Sequence, residues 1–252
     1  MSPLTDHADP LERVQLTRDL HLHQRVHGHR TATDDVLCAW AGLRARPTAA
    51  RYLDLGAGHG SVTLMVLGAL PPAATAHALE VQPVSHGLLA RNLADNGLAG
   101  RATALLADLR DPAALGEDRF DLITGSPPFM PLGSGPLPAD PQRAGGRFEL
   151  RGGIEAYAHA AARWLAPGGA ASFLMDGASR SRCERAFAAA RLALHAVITV
   201  YPAPDKPARY LIYALGRQRP AGPPEALTLT VRDRDGGWSP DFIRVRERLA
   251  LP

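Results

Sequence analysis

The stretch Arg51-Tyr-Leu-Asp54-Leu-Gly56-Ala-Gly58-His-Gly60 runs directly into the apolar segment Ser61-Val-Thr-Leu-Met-Val-Leu-Gly-Ala-Leu70. A short β-like run, three glycines at alternate positions and a helical pattern predict a strand that turns sharply into a helix. Glycine tolerates positive φ in such a turn, and it lets the free N–H groups at the helix start approach a ligand. The spacing departs from the dinucleotide fingerprint: the third glycine comes one residue early, and no basic residue stands where a pyrophosphate would need one. An acid, Asp54, precedes the first glycine by two positions, which disfavours a phosphate and suits a cationic ligand.

Outward from this turn, β-like runs alternate with helical patterns. Strands are expected at 51–55, 75–80, 102–107, 120–124 and 170–175, with helices at 61–70, 83–96, 154–165 and 180–192 and a short one near 112–115. Two more β-rich runs, 195–201 and 209–215, are joined by a Pro-rich turn too short for a crossover, so they must be antiparallel. The α/β pattern predicts a seven-stranded, mostly parallel, Rossmann-like sheet that ends in an antiparallel hairpin. An Arg/His-rich head (1–31) and a tail (216–252, with a strand near 226–231) flank the main domain (32–215), and the tail is expected to pack on that same domain. The Gly/Pro/Arg-rich segment 130–153 is longer than a structureless connection should be, and is read as a substrate loop.

With 252 residues, 46% hydrophobic and 21% charged, the chain can bury one sizeable core, which excludes disorder and coiled coil. The most apolar region, 157–175, is interrupted by Arg163, Pro167, Gly168 and Gly169, so no membrane span is expected. The first nineteen residues lack the apolar core of a secretory signal, and a cytoplasmic location is the default expectation. Cys38 and Cys183 are far apart, without metal-type spacing, and read as buried thiols. The net charge of +3 is uninformative as a total. Lys206 is the sole lysine among 28 basic residues.

Two further acids close the next strands, Glu80 and Asp108. An acid at the end of the second strand can accept hydrogen bonds from both hydroxyls of a ribose, and one at the end of the third can accept from an adenine amino group. The ordinary alternative for each acid is a helix cap or a solvated turn. After the fourth strand comes Ser126-Pro127-Pro128-Phe129. Consecutive prolines fix the backbone and remove two donors, leaving carbonyls free to accept. The amine of adenine, cytosine or an amide is a poor nucleophile because its lone pair is delocalised. Accepting its hydrogens on Ser126 and the Pro127 carbonyl, with Phe129 stacked on the planar group, would aim a more pyramidal nitrogen at a methyl donor.

These motifs resemble the class I amino-methyltransferases with an (Asp/Asn/Ser)-Pro-Pro-(Tyr/Phe/Trp) segment, and more closely the bacterial tRNA(Val) adenine-N6 methyltransferases. The similarity extends to Thr33-Asp34-Asp35-Val-Leu37, Ala78-Leu-Glu80, Phe120-Asp-Leu-Ile123, Pro141-Gln-Arg143, Arg147-Phe-Glu149 and the tail 231–249 with Gly237-Trp-Ser-Pro240. It implies S-adenosylmethionine (SAM) held by Asp34, Asp54, Gly56, Gly58, Glu80 and Asp108, with Asp34 over the methionine end. It further implies catalysis by Ser126, Pro127, Pro128 and Phe129, a tRNA substrate and no metal. Ser126 and Phe129 stand where that family usually has Asn and Tyr, which leaves the target base open. Other readings are a protein glutamine-N5 methyltransferase, a small-molecule enzyme, or a silent SAM-binding subunit that binds RNA or a partner. The oligomeric state is not legible.

Arg143, Arg147 and Arg151 recur every four residues in the loop after this motif, and are expected to face RNA. The alternating histidines of 21–29 suit a surface strand or a phosphate contact better than a metal site, since no nearby carboxylate or cysteine completes one. His59 inside the glycine loop is assigned no catalytic role.

Overall fold

The computed structural model describes residues 9–252; the first eight residues of the expected head lie outside the described residues. The chain opens with a hairpin, β1 (Leu11–Gln15) and β2 (His21–Arg25), then α1 (Thr33–Ala45). The alternating unit follows as β3 (Arg51–Leu55), α2 (Ser61–Ala69), β4 (Thr75–Glu80), α3 (Pro83–Asp95), β5 (Ala102–Leu106) and β6 (Phe120–Gly125). After α4 (Pro141–Arg147) and α5 (Ile154–Trp164) come β7 (Leu165–Asp176), α6 (Arg180–Ala189), β8 (Ala193–Tyr201), β9 (Tyr210–Gly216), β10 (Glu225–Thr230) and α7 (Pro240–Arg248).

The main sheet has the order β10-β8-β9-β7-β6-β3-β4-β5. It is the expected mostly parallel sheet, with β9 alone antiparallel, inserted between β7 and β8. There are eight strands rather than seven, because the tail strand β10 pairs parallel with β8 from Glu225↔Ala196 to Thr230↔Tyr201. From β3 the chain steps outward through β4 and β5, then returns to β6 on the other side of β3. Between β3 and β6 lies the topological switch point, where loops diverge and leave a crevice at the strands' C-terminal ends.

Helices cover both faces, giving two cores. One joins α1, α2, α3 and α7 to the sheet through Leu37, Leu64, Leu89 and Phe242; the other joins α5 and α6 through Tyr157, Trp164, Cys183 and Phe187. Both cysteines are buried free thiols. Trp164 is fully buried, and truncating such a side chain typically costs about 3–5 kcal/mol.

The head is docked by side-chain amides. Asn96 accepts from the His21 N–H (2.8 Å) and donates to the His21 carbonyl (2.7 Å). Asn92 does the same for His23 at 2.7 and 2.9 Å. Alternate residues of a strand present their backbone groups to the same side, and residues four apart on a helix share a face, so the two periodicities match. The free edge of β2 is thereby satisfied without a third strand.

Candidate active site

The ends of β3, β4 and β6 meet at the switch point. Gly56, Gly58 and Gly60 all have positive φ, at 68°, 58° and 97°. A Cβ at Gly56 would lie 2.3 Å from the Tyr157 hydroxyl, while one at Gly58 would meet nothing within 4 Å. Gly56 is thus required by a close approach, and Gly58 by its backbone conformation beside open space.

The three acids play different parts. Glu80 is buried, and accepts from the N–H groups of Gly58 (2.9 Å) and Gln82 (2.7 Å). Burial raises its pKa, while those backbone bonds oppose the shift. Asp54 lies opposite Thr124 in the β3–β6 register, and accepts from the hydroxyls of Thr63 (2.6 Å) and Thr124 (2.9 Å). Burial pushes its pKa up to about 6. Held between two hydroxyls, Asp54 supplies negative charge to the site. Asp108 is forked by Arg110 at 2.6–3.1 Å, which lowers its pKa.

These residues surround connected spaces. A narrow cavity of about 100 Å³ is lined by Gly56, Gly58, Glu80, Asp108, Ser126 and Pro128. A smaller one of about 70 Å³ lies among Asp34, Asp35, Asp54, Ser126, Pro127 and Phe129, and shares Gly56, Gly58 and Ser126 with the first. Asp35 accepts from the Ser61 hydroxyl at 2.8 Å, and its pKa is raised by burial and by Asp34. Outside lies an open cleft of about 950 Å³, bordered by Asp34, Phe129, Arg143, Arg147, Arg209 and Tyr210. The two narrow spaces form an acidic trough that Ser126 lines, and Phe129 borders both it and the cleft.

The segment 130–153 walls both spaces and contains α4. Asp140 caps that helix by accepting from the Arg143 N–H (2.8 Å), and pairs with Arg25 of the head at 2.8 Å. Gln142 is buried; its carbonyl accepts from the His29 N–H and from Arg25, both at 3.2 Å, and its amide donates to Ser85 at 3.0 Å. Head, loop and α3 are knotted at this one side chain. The far end of the segment is anchored by Arg182, which forks onto Glu149 (2.7 and 2.9 Å) and onto Glu155.

Arg143 and Arg147 border the cleft, and among the described residues neither forms a salt bridge. Arg151 is not brought there. It lines the narrow cavity instead, where its charge acts on Glu80 and Asp108. His59 is buried and held neutral, its pKa pushed down to about 3, with Nε2 3.1 Å from the Thr31 hydroxyl. Sequence reasoning missed Tyr157, Tyr210 and Arg209, and it missed His29 as a wall residue shared by all three spaces. Tyr157, Tyr210 and Arg209 sit in no motif and folding alone brings them in, whereas His29 ends the run of alternating histidines.

Residues 41–134 match the family described as the methyltransferase small domain. A tRNA1(Val) (adenine(37)-N6)-methyltransferase of Porphyromonas gingivalis is 30% identical over 229 residues, covering 86% of this chain and 87% of that one. The chain belongs to the tRNA1(Val) (adenine(37)-N6)-methyltransferase family. Another of these methyltransferases, from Shewanella loihica, is 29% identical over 243 residues, 93% of this chain and 97% of that one. Among solved structures, one described as a predicted O-methyltransferase of Agrobacterium tumefaciens superposes with a TM-score of 0.61 at 20% identity, covering 87% of this chain and 98% of that one. In this methyltransferase the trough fits SAM by its donor set: a buried carboxylate at Glu80, open space over Gly58, and Asp34, Asp35 and Asp54 where a sulfonium and an ammonium need negative charge.

Proposed function

We propose that this enzyme transfers a methyl group to the N6 amine of an adenine in tRNA. SAM, when bound, supplies an electrophilic methyl group on sulfur. Glu80 would accept from its ribose hydroxyls and Asp108 would face its adenine end, while Asp34, with the charge of Asp35 and Asp54, would receive its methionine end. The Ser126 hydroxyl and the Pro127 carbonyl accept the two hydrogens of the target amine. That favours a pyramidal nitrogen whose lone pair points into the trough. Phe129 stacks on the base, and the walls of the small cavity exclude water from the line of transfer.

The observation that carries the reading is the position of Ser126 to Phe129: Ser126 and Pro127 line the acidic trough, and Phe129 borders both that trough and a cleft rimmed by Arg143 and Arg147, which form no salt bridge among the described residues. Arg143 and Arg147 suit a polyanion. A glutamine side chain on a protein would give that basic rim nothing to bind. Relatives named as tRNA adenine enzymes also match over nearly the whole chain. A cytoplasmic site of action follows from a tRNA substrate, and no helix among the described residues is long and apolar enough to cross a membrane. The test is mass spectrometry of nucleosides from tRNA incubated with the protein and SAM. N6-methyladenosine is expected, and label appearing only in protein would reverse the assignment.

A further inference from the structure

The open cleft has a second aromatic wall. Tyr210 begins β9 directly opposite Asp176, the last residue of β7. Its ring centroid is 5.9 Å from that of Phe129, with 47° between the planes. The Arg209 guanidinium lies over one face of it, 5.1 Å from the ring centroid, and is tied to Asp176 at 3.3 Å. Tyr210 is half-buried, so its ring is held in place yet still borders the cleft with Phe129 and Arg147.

Two tilted rings at this separation make a corner rather than a parallel slot. Aromatic groups favour offset-stacked or edge-to-face contacts with centroids about 4.5–7 Å apart. A planar base stacked on Phe129 would therefore present its edge to Tyr210. The cleft's volume of about 950 Å³ also exceeds that of a single side chain and suits a nucleotide extruded from its stack, which enzymes acting on a base require.

We propose that Tyr210 is a substrate-positioning residue, the second wall of an aromatic corner that receives an extruded nucleobase, with Arg209 and Arg147 placed for its flanking phosphates. This rests on the reading that the acceptor is a base of RNA. The Asp176 pairing serves to hold Arg209, and through it the Tyr210 ring, at a fixed inclination to Phe129.

The test is calorimetric titration of AMP, CMP and ribose 5-phosphate into protein saturated with S-adenosylhomocysteine. It compares the wild type with Tyr210→Ala and Tyr210→Phe. AMP should bind the wild type more tightly than ribose 5-phosphate. Tyr210→Ala should weaken AMP by about 2- to 12-fold, the range for one edge-to-face aromatic contact, and Tyr210→Phe should restore most of it. Affinity for S-adenosylhomocysteine should be unchanged in both, and in turnover with tRNA the loss in Tyr210→Ala should fall on KM more than on kcat.

If CMP shows this Tyr210 dependence in place of AMP, the corner stands and the adenine assignment falls. AMP binding that is equal in Tyr210→Ala, or no tighter than ribose 5-phosphate in the wild type, overturns the corner. So does a joint loss of S-adenosylhomocysteine affinity and Tm that Tyr210→Phe fails to rescue, because Tyr210 would then be packing.

Discussion

Ser126 is a shorter acceptor than the amide usual in its family, and its hydroxyl must rotate to receive a hydrogen. Its replacement by alanine removes one of two acceptors for the amine. A lost hydrogen bond of about 1.5–3 kcal/mol predicts a fall in kcat of roughly 10- to 100-fold with SAM affinity intact; steady-state kinetics and calorimetry on Ser126→Ala would show it. Phe129→Ala should likewise damage turnover far more than SAM affinity. Equal loss of both would make Phe129 structural.

The acids also predict a pH dependence. Asp54 keeps its proton up to about pH 6 in the folded protein, well above its ordinary value of 3.8. Between those values the native state binds more protons than the unfolded chain, so this group's contribution to stability falls as pH rises through the window. A cation in the trough favours the ionised form. SAM affinity should therefore strengthen as pH rises through about 6, with proton release on binding below that pH. Titrations in buffers of differing ionisation enthalpy measure both, and an affinity flat from pH 5 to 8 would contradict the charge assigned to the trough.

At the scale of elements, α3 ties the head to the glycine loop. Asn92 also donates to the His59 carbonyl at 2.8 Å, so a single α3 side chain holds both β2 and the glycine loop. Asn92→Ala leaves buried backbone groups unpaired and should cost about 1–3 kcal/mol, measurable as a lower midpoint in urea. Asn92→Ala should also weaken SAM binding, whereas Asn96→Ala, which touches only the hairpin side and its own helix, should lower stability alone.

The elements of the sheet were legible because their apolar runs are short, bounded and separated by periodic helices. β3 and β4 match their expected bounds, and β6 differs by one residue. The helix α1 was not legible: Ala32 at its N-terminus offers no side-chain cap, and the helix is wedged between α2 and β7 rather than lying half in water. α4 carries Gly145 and Gly146, which oppose a helix in isolation. Its Asp140 cap and the Gln142 knot overcome that preference, and glycine is what the crowding needs, since Cβ atoms there would lie 2.8 Å from Gln82 and His29. The acids at the strand ends could be read from spacing. That Asp54 is satisfied by Thr63 and Thr124 could not, because it depends on the register between β3 and β6.

For the whole molecule, charge is organised by depth. Carboxylates line the trough, and arginines rim the cleft. Neutralising a phosphate releases counterions, and each contact contributes about 0.7–0.9 to the slope of log affinity against log salt. Arg143→Ala with Arg147→Ala should weaken tRNA binding and lower that slope by about 1.4–1.8. Filter binding between about 50 and 200 mM salt would measure it. An unchanged slope would remove both arginines from the interface.

The amide ladder on α3 also imposes an order in time. The hairpin is synthesised before α3, and its partners Asn92 and Asn96 are made 69 and 75 residues after the strand positions they hold. Contacts at such separation form late, because the intervening loop must close first. The hairpin, whose next residues 26–32 line the cleft, is thus made before the helix that seats it.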